Sequence, residues 1–360
     1  MTKRIGILTS GGDCAGLNAV IRAVTFAAHN QYNWEVFGIK QGTMGLLAKP
    51  CQVEKLSPEN WPDHLLRVGG TFLGTTNRGN PFEFPMEDGG FKDRSDEIVQ
   101  AVKALRLDAM IGIGGDGSLK ILSQLFQKAG VNLIGIPKTI DNDIGETENS
   151  VGYRTAVDIA TEALDCLQPT AASHDRIMIL EVMGRDAGHI ALSSGIAGGA
   201  DVILIPEIPY KLDFVVQKIQ RTKKQGKNFI LIVVAESVKS ENGDPFMMSY
   251  FHGEKRYGGI AHYLADELMT RAGAETRFTV LGHVQRGGKP SSSDRVMASV
   301  FGAHAVDLIN QNKRNRMVAW KNRTVTDVSI EDAVKSYKAV DKKGPLVVTA
   351  RKLGVCFGDE

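Results

Sequence analysis

Apolar residues along this chain fall mainly in continuous runs and seldom alternate with polar ones. The runs are RIGILTS (4–10), EVFGIK (35–40), AMIGIGG (109–115), NLIGIPKT (132–139), RIMILEVM (176–183), DVILIPE (201–207), NFILIVVAE (228–236) and TVLGHVQ (279–285). A short run that is apolar on both sides predicts a strand covered on both faces, as in a parallel sheet under helices. Helical spacing fills the gaps at 15–30, 93–106, 117–130, 150–168, 212–225, 258–272 and 292–312. This alternation predicts an α/β protein of two doubly wound domains with mainly parallel sheets. A length of 360 residues fits two domains better than one core. The polar, turn-rich stretch 238–256 is expected to be an insertion, and the tail from about 336 to pack back on the body.

Doubly wound sheets bind ligands beyond the C-terminal ends of their strands. The polar clusters of this chain fall there. TSGGD follows the first run, GGDGS the third and KTIDND the fourth; MGRDAG, Glu236 and HVQRGG close three later ones. Many of the 39 glycines sit in these clusters. The expectation is one large cleft lined by Gly, Asp, Arg and His.

Composition narrows the function classes. The formal net charge is +2 and no Lys/Arg block stands out, so no nucleic-acid partner is expected. The basic QRTKKQGKN (220–228) fits a solvated helix end. No apolar run is long enough to span a bilayer. The residues after Lys3 and Arg4 meet TSGGD at once, which is unlike a signal peptide. Four scattered cysteines, Cys14, Cys51, Cys166 and Cys356, show no CxxC or metal spacing and fit free thiols in a reducing compartment. A cytoplasmic enzyme or binding protein is expected.

The motifs point to phosphate chemistry. LTSGGDCAGLNAVIR (8–22) joins a strand, a glycine turn and a helix. Glycines let backbone N–H groups approach a phosphate at the helix start, although a tight turn without a ligand has the same pattern. GIGGDGS (112–118) repeats the device with Asp116, which could hold Mg²⁺ against phosphate oxygens or merely cap a helix. PKTIDND (137–143) offers Asp141 as a base, Thr139 as a donor to phosphate and Asp143 as support, or else an Asx-rich turn. Arg176, Arg185, Arg277 and Arg286, with His283, lie near the ends of the predicted strands. A lone arginine or histidine is more often structural, but guanidinium forks suit phosphate, and several at one sheet edge favour an anionic acceptor. Together these features describe a Mg²⁺-dependent phosphotransferase acting on a phosphorylated sugar.

GILTSGGDCAGLNAVIR, GGTFLGTTNR, GIGGDGS, PKTIDND, EVMGRDAGH, VVAES and TRFTVLGHVQRGG, in this order, resemble the 6-phosphofructokinases over roughly residues 4–312. The resemblance implies phosphorylation of the 1-hydroxyl of fructose 6-phosphate to fructose 1,6-bisphosphate. It makes Asp141 the general base, Asp116 the Mg²⁺ ligand and Asp143 part of the same acidic site. It places Gly11, Arg78 and Thr139 on the transferring phosphate, and Gly117 and Ser118 along the nucleotide phosphates. Met183, Arg185 and Glu236 would line the sugar, with Arg185 also stabilising charge. His283 and Arg286 would bind the 6-phosphate, joined by Arg176 and Arg277 from a neighbouring subunit of a homotetramer. Arg78 lies in GTTNRGNPF, which aligns with the bacterial GSARF pattern only through a small insertion. The implied division is a donor domain of 1–152 plus 285–335 and a sugar-phosphate domain of 153–284 plus 336–360.

Two positions bear on the donor. ATP-using members carry GGDG with PGTIDND, and pyrophosphate-using members carry GGDD with PKTIDND. This chain combines Gly117 with Lys138. An aspartate at 117 would crowd and repel a nucleotide α-phosphate, whereas Lys138 adds a cation compatible with either donor. ATP is therefore expected, with a pyrophosphate-dependent enzyme as the alternative. Arg22 matches an effector-site arginine of the short bacterial enzymes, whereas Phe26 and Gln168 stand where others would be, so the usual ADP or phosphoenolpyruvate control is open to question, with a different effector or none as the alternatives. A NAD-kinase-like reading rests on GGDG alone. A non-catalytic sugar-phosphate sensor should have lost its base, yet Asp116, Asp141 and Arg185 are all present.

Overall fold

A computed structural model describes residues 2–77, 80–249 and 255–360. The chain forms two compact units. The first comprises 1–140, 144–155 and 286–337, and the second 141–143, 156–285 and 338–360.

The sheet of the first unit runs in the order Thr324–Ser329, Arg316–Lys321, Asn132–Thr139, Ala109–Gly114, Arg4–Thr9, Glu35–Ile39 and Val53–Leu56, and a short strand at Val151–Gly152 pairs with Asn132–Thr139. The inner pairs are parallel, while the outermost pair at each edge is antiparallel. Every residue of Ala109–Gly114 is buried, which explains its unbroken apolar run. One face is covered by the helices Leu17–Tyr32 and Ser292–Asn310 packed on each other. Gly302 allows that approach, because a Cβ there would stand 2.7 Å from Ala23 Cβ. A second core gathers Ile98, Val102, Leu119, Leu122, Phe126 and Ile330.

The chain leaves Arg4–Thr9 toward Glu35–Ile39 on one side and returns to Ala109–Gly114 on the other. The topological switch point thus lies between Arg4–Thr9 and Ala109–Gly114, where open α/β sheets bind ligands. Both glycine turns begin there.

The second unit has a fully parallel sheet in the order Val202–Leu204, Ile230–Ala235, Ile177–Val182 and Thr276–Val280. The tail packs against this unit. Its helix Pro345–Lys352 lies on the helix His189–Ala197, and Cys356 bridges to Val202. Glu207 joins the two parts by accepting from Gly188 N at 3.0 Å and Val340 N at 2.9 Å.

The structure corrects the strand expected at 279–285. The strand is Thr276–Val280, and Gly282–Arg286 is a 3₁₀ helix. TRFTV mixes buried and exposed positions on an edge, so it lacks the apolar run that marks a central strand. The helix expected at 150–168 runs from Tyr153 to Ser173 and contains Pro169. At the end of the stretch 238–256 and one residue past it, Met247–Ser249 and Lys255–Tyr257 pair antiparallel.

Candidate functional site

In the first unit the two glycine turns are joined at the backbone. Ser10 N donates to Ile113 O at 2.9 Å, and Gly11 N donates to Thr76 O at 3.0 Å. Gly11 adopts a left-handed φ of 82°, which favours glycine. A Cβ on Gly12 would lie 2.7 Å from Arg286 Nη1, so the bare backbone lets that guanidinium close over the turn. Arg286 Nη1 donates to Asp13 O at 3.3 Å.

The second turn ends in the helix Asp116–Ala129, whose N-cap Gly115 provides no side-chain bond. A first turn capped by no side chain is suited to an anion. A Cβ at Gly117 would have nothing within 4 Å. Ser118 Oγ lies 3.0 Å from the position a Gly11 Cβ would take, bringing the two turns together. Among the described residues, no group of three or more His, Cys, Asp or Glu could hold a metal. Asp116 fits another kind of donor set, in which one carboxylate is completed by a ligand's phosphates, the usual way Mg²⁺ is held.

Lys138 lies almost fully buried at the end of Asn132–Thr139, and its ammonium donates to Gly12 O. The cation of PKTIDND is thus tied to the first glycine turn. Thr139 O accepts from Ser150 Oγ at 2.7 Å. Cys14 also lies here with its Sγ bonded to Val151 O, and burial pushes its thiol up to about 12.

In the second unit, Asp141 and Asp143 are 7% and 6% exposed, deep enough for their carboxylates to require partners. Lys338 N donates to Asp143 O at 2.9 Å, so the tail braces this loop. His189 Nε2 meets Lys338 O at 2.9 Å, and burial lowers the His189 pKa. A neutral imidazole donating through Nε2 fits that carbonyl.

Met183, Gly184 and Arg185 follow Ile177–Val182. Arg185 is exposed and has a left-handed φ of 53°. That conformation is strained for a residue with a side chain. Glu236, at the end of the neighbouring strand, holds it. Its Oε1 accepts from Gly184 N at 3.3 Å and Arg185 N at 3.0 Å. Burial, with a further contribution from Asp141, pushes the Glu236 pKa up to about 7. Met183 N donates instead to Gln285 Oε1 at 2.7 Å. On the 3₁₀ helix Gly282–Arg286, His283 is exposed while Gln285 is buried.

Arg176 and Arg277 do not join this group within the chain. Arg176 precedes Ile177, and Arg277 pairs in register with Met178. They therefore stand at the N-terminal end of the sheet, roughly 20 Å along the strand from Met183. Both share Glu275 Oε1, at 2.8 and 2.7 Å. The bottom-up expectation of all the arginines at one sheet edge is corrected here. A parallel sheet has two ends, and linear proximity to a strand does not say which end a side chain occupies. Arg78 lies outside the described residues. Gln285 was not singled out from the sequence, although His283 and Arg286 flank it.

A family model described as phosphofructokinase matches residues 4–309. The chain belongs to the phosphofructokinase family. It is 59% identical, over 99% of each chain, to a protein named ATP-dependent 6-phosphofructokinase 1 from Synechocystis. A protein of the same name from Nostoc is 60% identical over 99% of each chain. Among solved structures, phosphofructokinase from Saccharomyces cerevisiae superposes with a TM-score of 0.81 at 27% identity, covering 93% of this chain and 45% of that one. A pyrophosphate-dependent phosphofructokinase from Marinobacter aquaeolei gives 0.76 at 22% identity, covering 94% and 86%, a likeness of fold alone. The α/β architecture with parallel sheets is thus the phosphofructokinase fold.

Proposed function

We propose that this protein is an ATP-dependent 6-phosphofructokinase of glycolysis, acting in the cytoplasm. The observation that carries the reading is full-length identity of 59–60% to relatives named for that activity. The open space at Gly117 supports ATP as donor, because a nucleotide's phosphates can pass close to the backbone there. Lys138 is compatible with ATP, since its ammonium already serves the Gly12 carbonyl.

The first unit binds the donor in this reading. Gly11, Arg78, Thr139 and Lys138 attend the transferring phosphate, and Gly117 and Ser118 the rest of the nucleotide. Asp116 would hold Mg²⁺, which would offset phosphate charge when bound. The second unit binds fructose 6-phosphate. Asp141 takes the proton of the sugar 1-hydroxyl as that oxygen forms its bond to the terminal phosphorus. The bond from phosphorus to the bridging oxygen breaks, and ADP leaves. Arg185 offsets the developing charge, and Asp143 supports the acidic site. Met183 and Glu236 line the sugar, while His283, joined by Arg286 of the first unit, takes its 6-phosphate.

Arg176 and Arg277 reach the 6-phosphate from a neighbouring subunit of a homotetramer. Their place at the opposite sheet end supports this, and so does the edge strand that carries Arg277. Phe278 and Val280 on that strand are 41% and 52% exposed, apolar surface suited to being covered by a second subunit. The test is an assay with fructose 6-phosphate and Mg²⁺, comparing ATP with pyrophosphate at matched concentrations. Turnover with ATP alone is expected. Turnover with pyrophosphate instead would transfer donor choice to Lys138.

A further inference from the structure

We propose that Gln285 is a positioning residue for the sugar phosphate, fixing the backbone of Met183–Arg185 from the segment that carries His283 and Arg286. The inference rests on the reading of those residues given above.

Three consecutive backbone N–H groups, those of Met183, Gly184 and Arg185, are each held by a side-chain oxygen. Glu236 Oε1 takes the last two, and Gln285 Oε1 takes the first at 2.7 Å. The loop needs such restraint. Gly184 and Arg185 both have positive φ, at 154° and 53°, and the second is strained for a residue with a side chain.

Gln285 is 1% exposed, and its Nε2 has no hydrogen-bond partner among the described residues. The amide cannot be turned over to improve this, because Met183 N–H requires the oxygen. Burying an unpaired amide nitrogen is unfavourable, and an apolar side chain of similar length would avoid it. The residue is therefore poorly explained as core filling. Its acceptor oxygen is the feature used, and that oxygen ties the Met183–Arg185 loop to the 3₁₀ helix Gly282–Arg286. The groups on sugar and on 6-phosphate are thereby kept in register through one bond.

Gln285→Leu removes the acceptor at similar size, and Gln285→Glu keeps one. The expected result for the leucine variant is a loss of about tenfold or more in kcat/KM for fructose 6-phosphate, with KM for ATP changed less than about twofold. The glutamate variant should recover most of the loss. Wild-type kcat/KM in the leucine variant would overturn the proposal. So would equal losses toward both substrates that glutamate does not recover, since these mark a merely structural role. If the leucine variant does not fold, hydrogen exchange of the wild-type protein decides. The Met183 amide should exchange as slowly as those of Ile177–Val182, and exchange at the rate of an exposed loop sinks the idea. A wild-type protein inactive toward fructose 6-phosphate and ATP would instead fault the functional reading, while the exchange measurement still tests the bond.

Discussion

A side chain added at position 117 would enter open space, and the backbone there has no positive φ to resist it. Gly117→Asp should therefore leave stability within about 0.5 kcal/mol, as for other surface changes. An acid in the first helical turn even suits the helix dipole. The same carboxylate would repel a nucleotide's phosphates, so KM for ATP should rise about tenfold or more. Unchanged ATP kinetics in a folded variant would remove Gly117 as the donor determinant. Asp141 is a sharper case, being 7% exposed and proposed to accept the sugar proton. Asp141→Asn keeps the shape but cannot take that proton. Turnover should fall by roughly 10²–10⁴, the usual worth of a general base, while fructose 6-phosphate still binds within a few-fold. Calorimetric titration beside the rate assay checks both halves. The sequence made these residues legible because their type and setting suffice. It could not show that Lys138 turns its charge toward Gly12 O, nor that Gln285 holds Met183, because both bonds join segments more than 100 residues apart.

Strand ends are the elements proposed to carry this chemistry, and Glu236 closes one of them. Its folded carboxyl keeps a proton up to about pH 7, against an ordinary value of 4.5. The folded state thus binds more protons across that window, and stability falls as pH rises through it. The full effect is on the order of 3 kcal/mol at most. Glu236→Gln retains an acceptor for Gly184 and Arg185 without the ionisation. Its melting temperature should gain on the parent between pH 5 and pH 8, and parallel curves would show that Glu236 does not titrate in this range. Which elements the sequence disclosed follows from the same burial. Ile230–Ala235 and Ala109–Gly114 are wholly buried and stand out as apolar runs. Edge strands such as Val53–Leu56 and Thr324–Ser329 are half solvated and escaped notice. The helix His189–Ala197 escaped too, being nearly apolar all round with no polar face to give it a period.

At the scale of the whole molecule, the placement of Arg176 and Arg277 away from Met183 leaves two readings. Either they belong to Glu275 alone, or they serve a site on a second copy. The two cases separate when two defective variants are mixed. Arg277→Ala should weaken fructose 6-phosphate binding, and Asp141→Asn should abolish most turnover. If a site draws Asp141 from one subunit and Arg277 from another, reassembled mixtures contain some sites with both native residues. Activity should then exceed the sum of the two variants, approaching about a quarter of wild type for random pairing at equal amounts, the product of two independent halves. If Arg277 acts only within its own chain, no mixed site gains anything and the activities merely add. Phe278→Glu, placing a charge on the exposed edge strand, gives an independent check by sedimentation. Loss of assembly together with loss of sugar-phosphate affinity fits a shared site, whereas a dissociated protein with full affinity would confine the site to one chain.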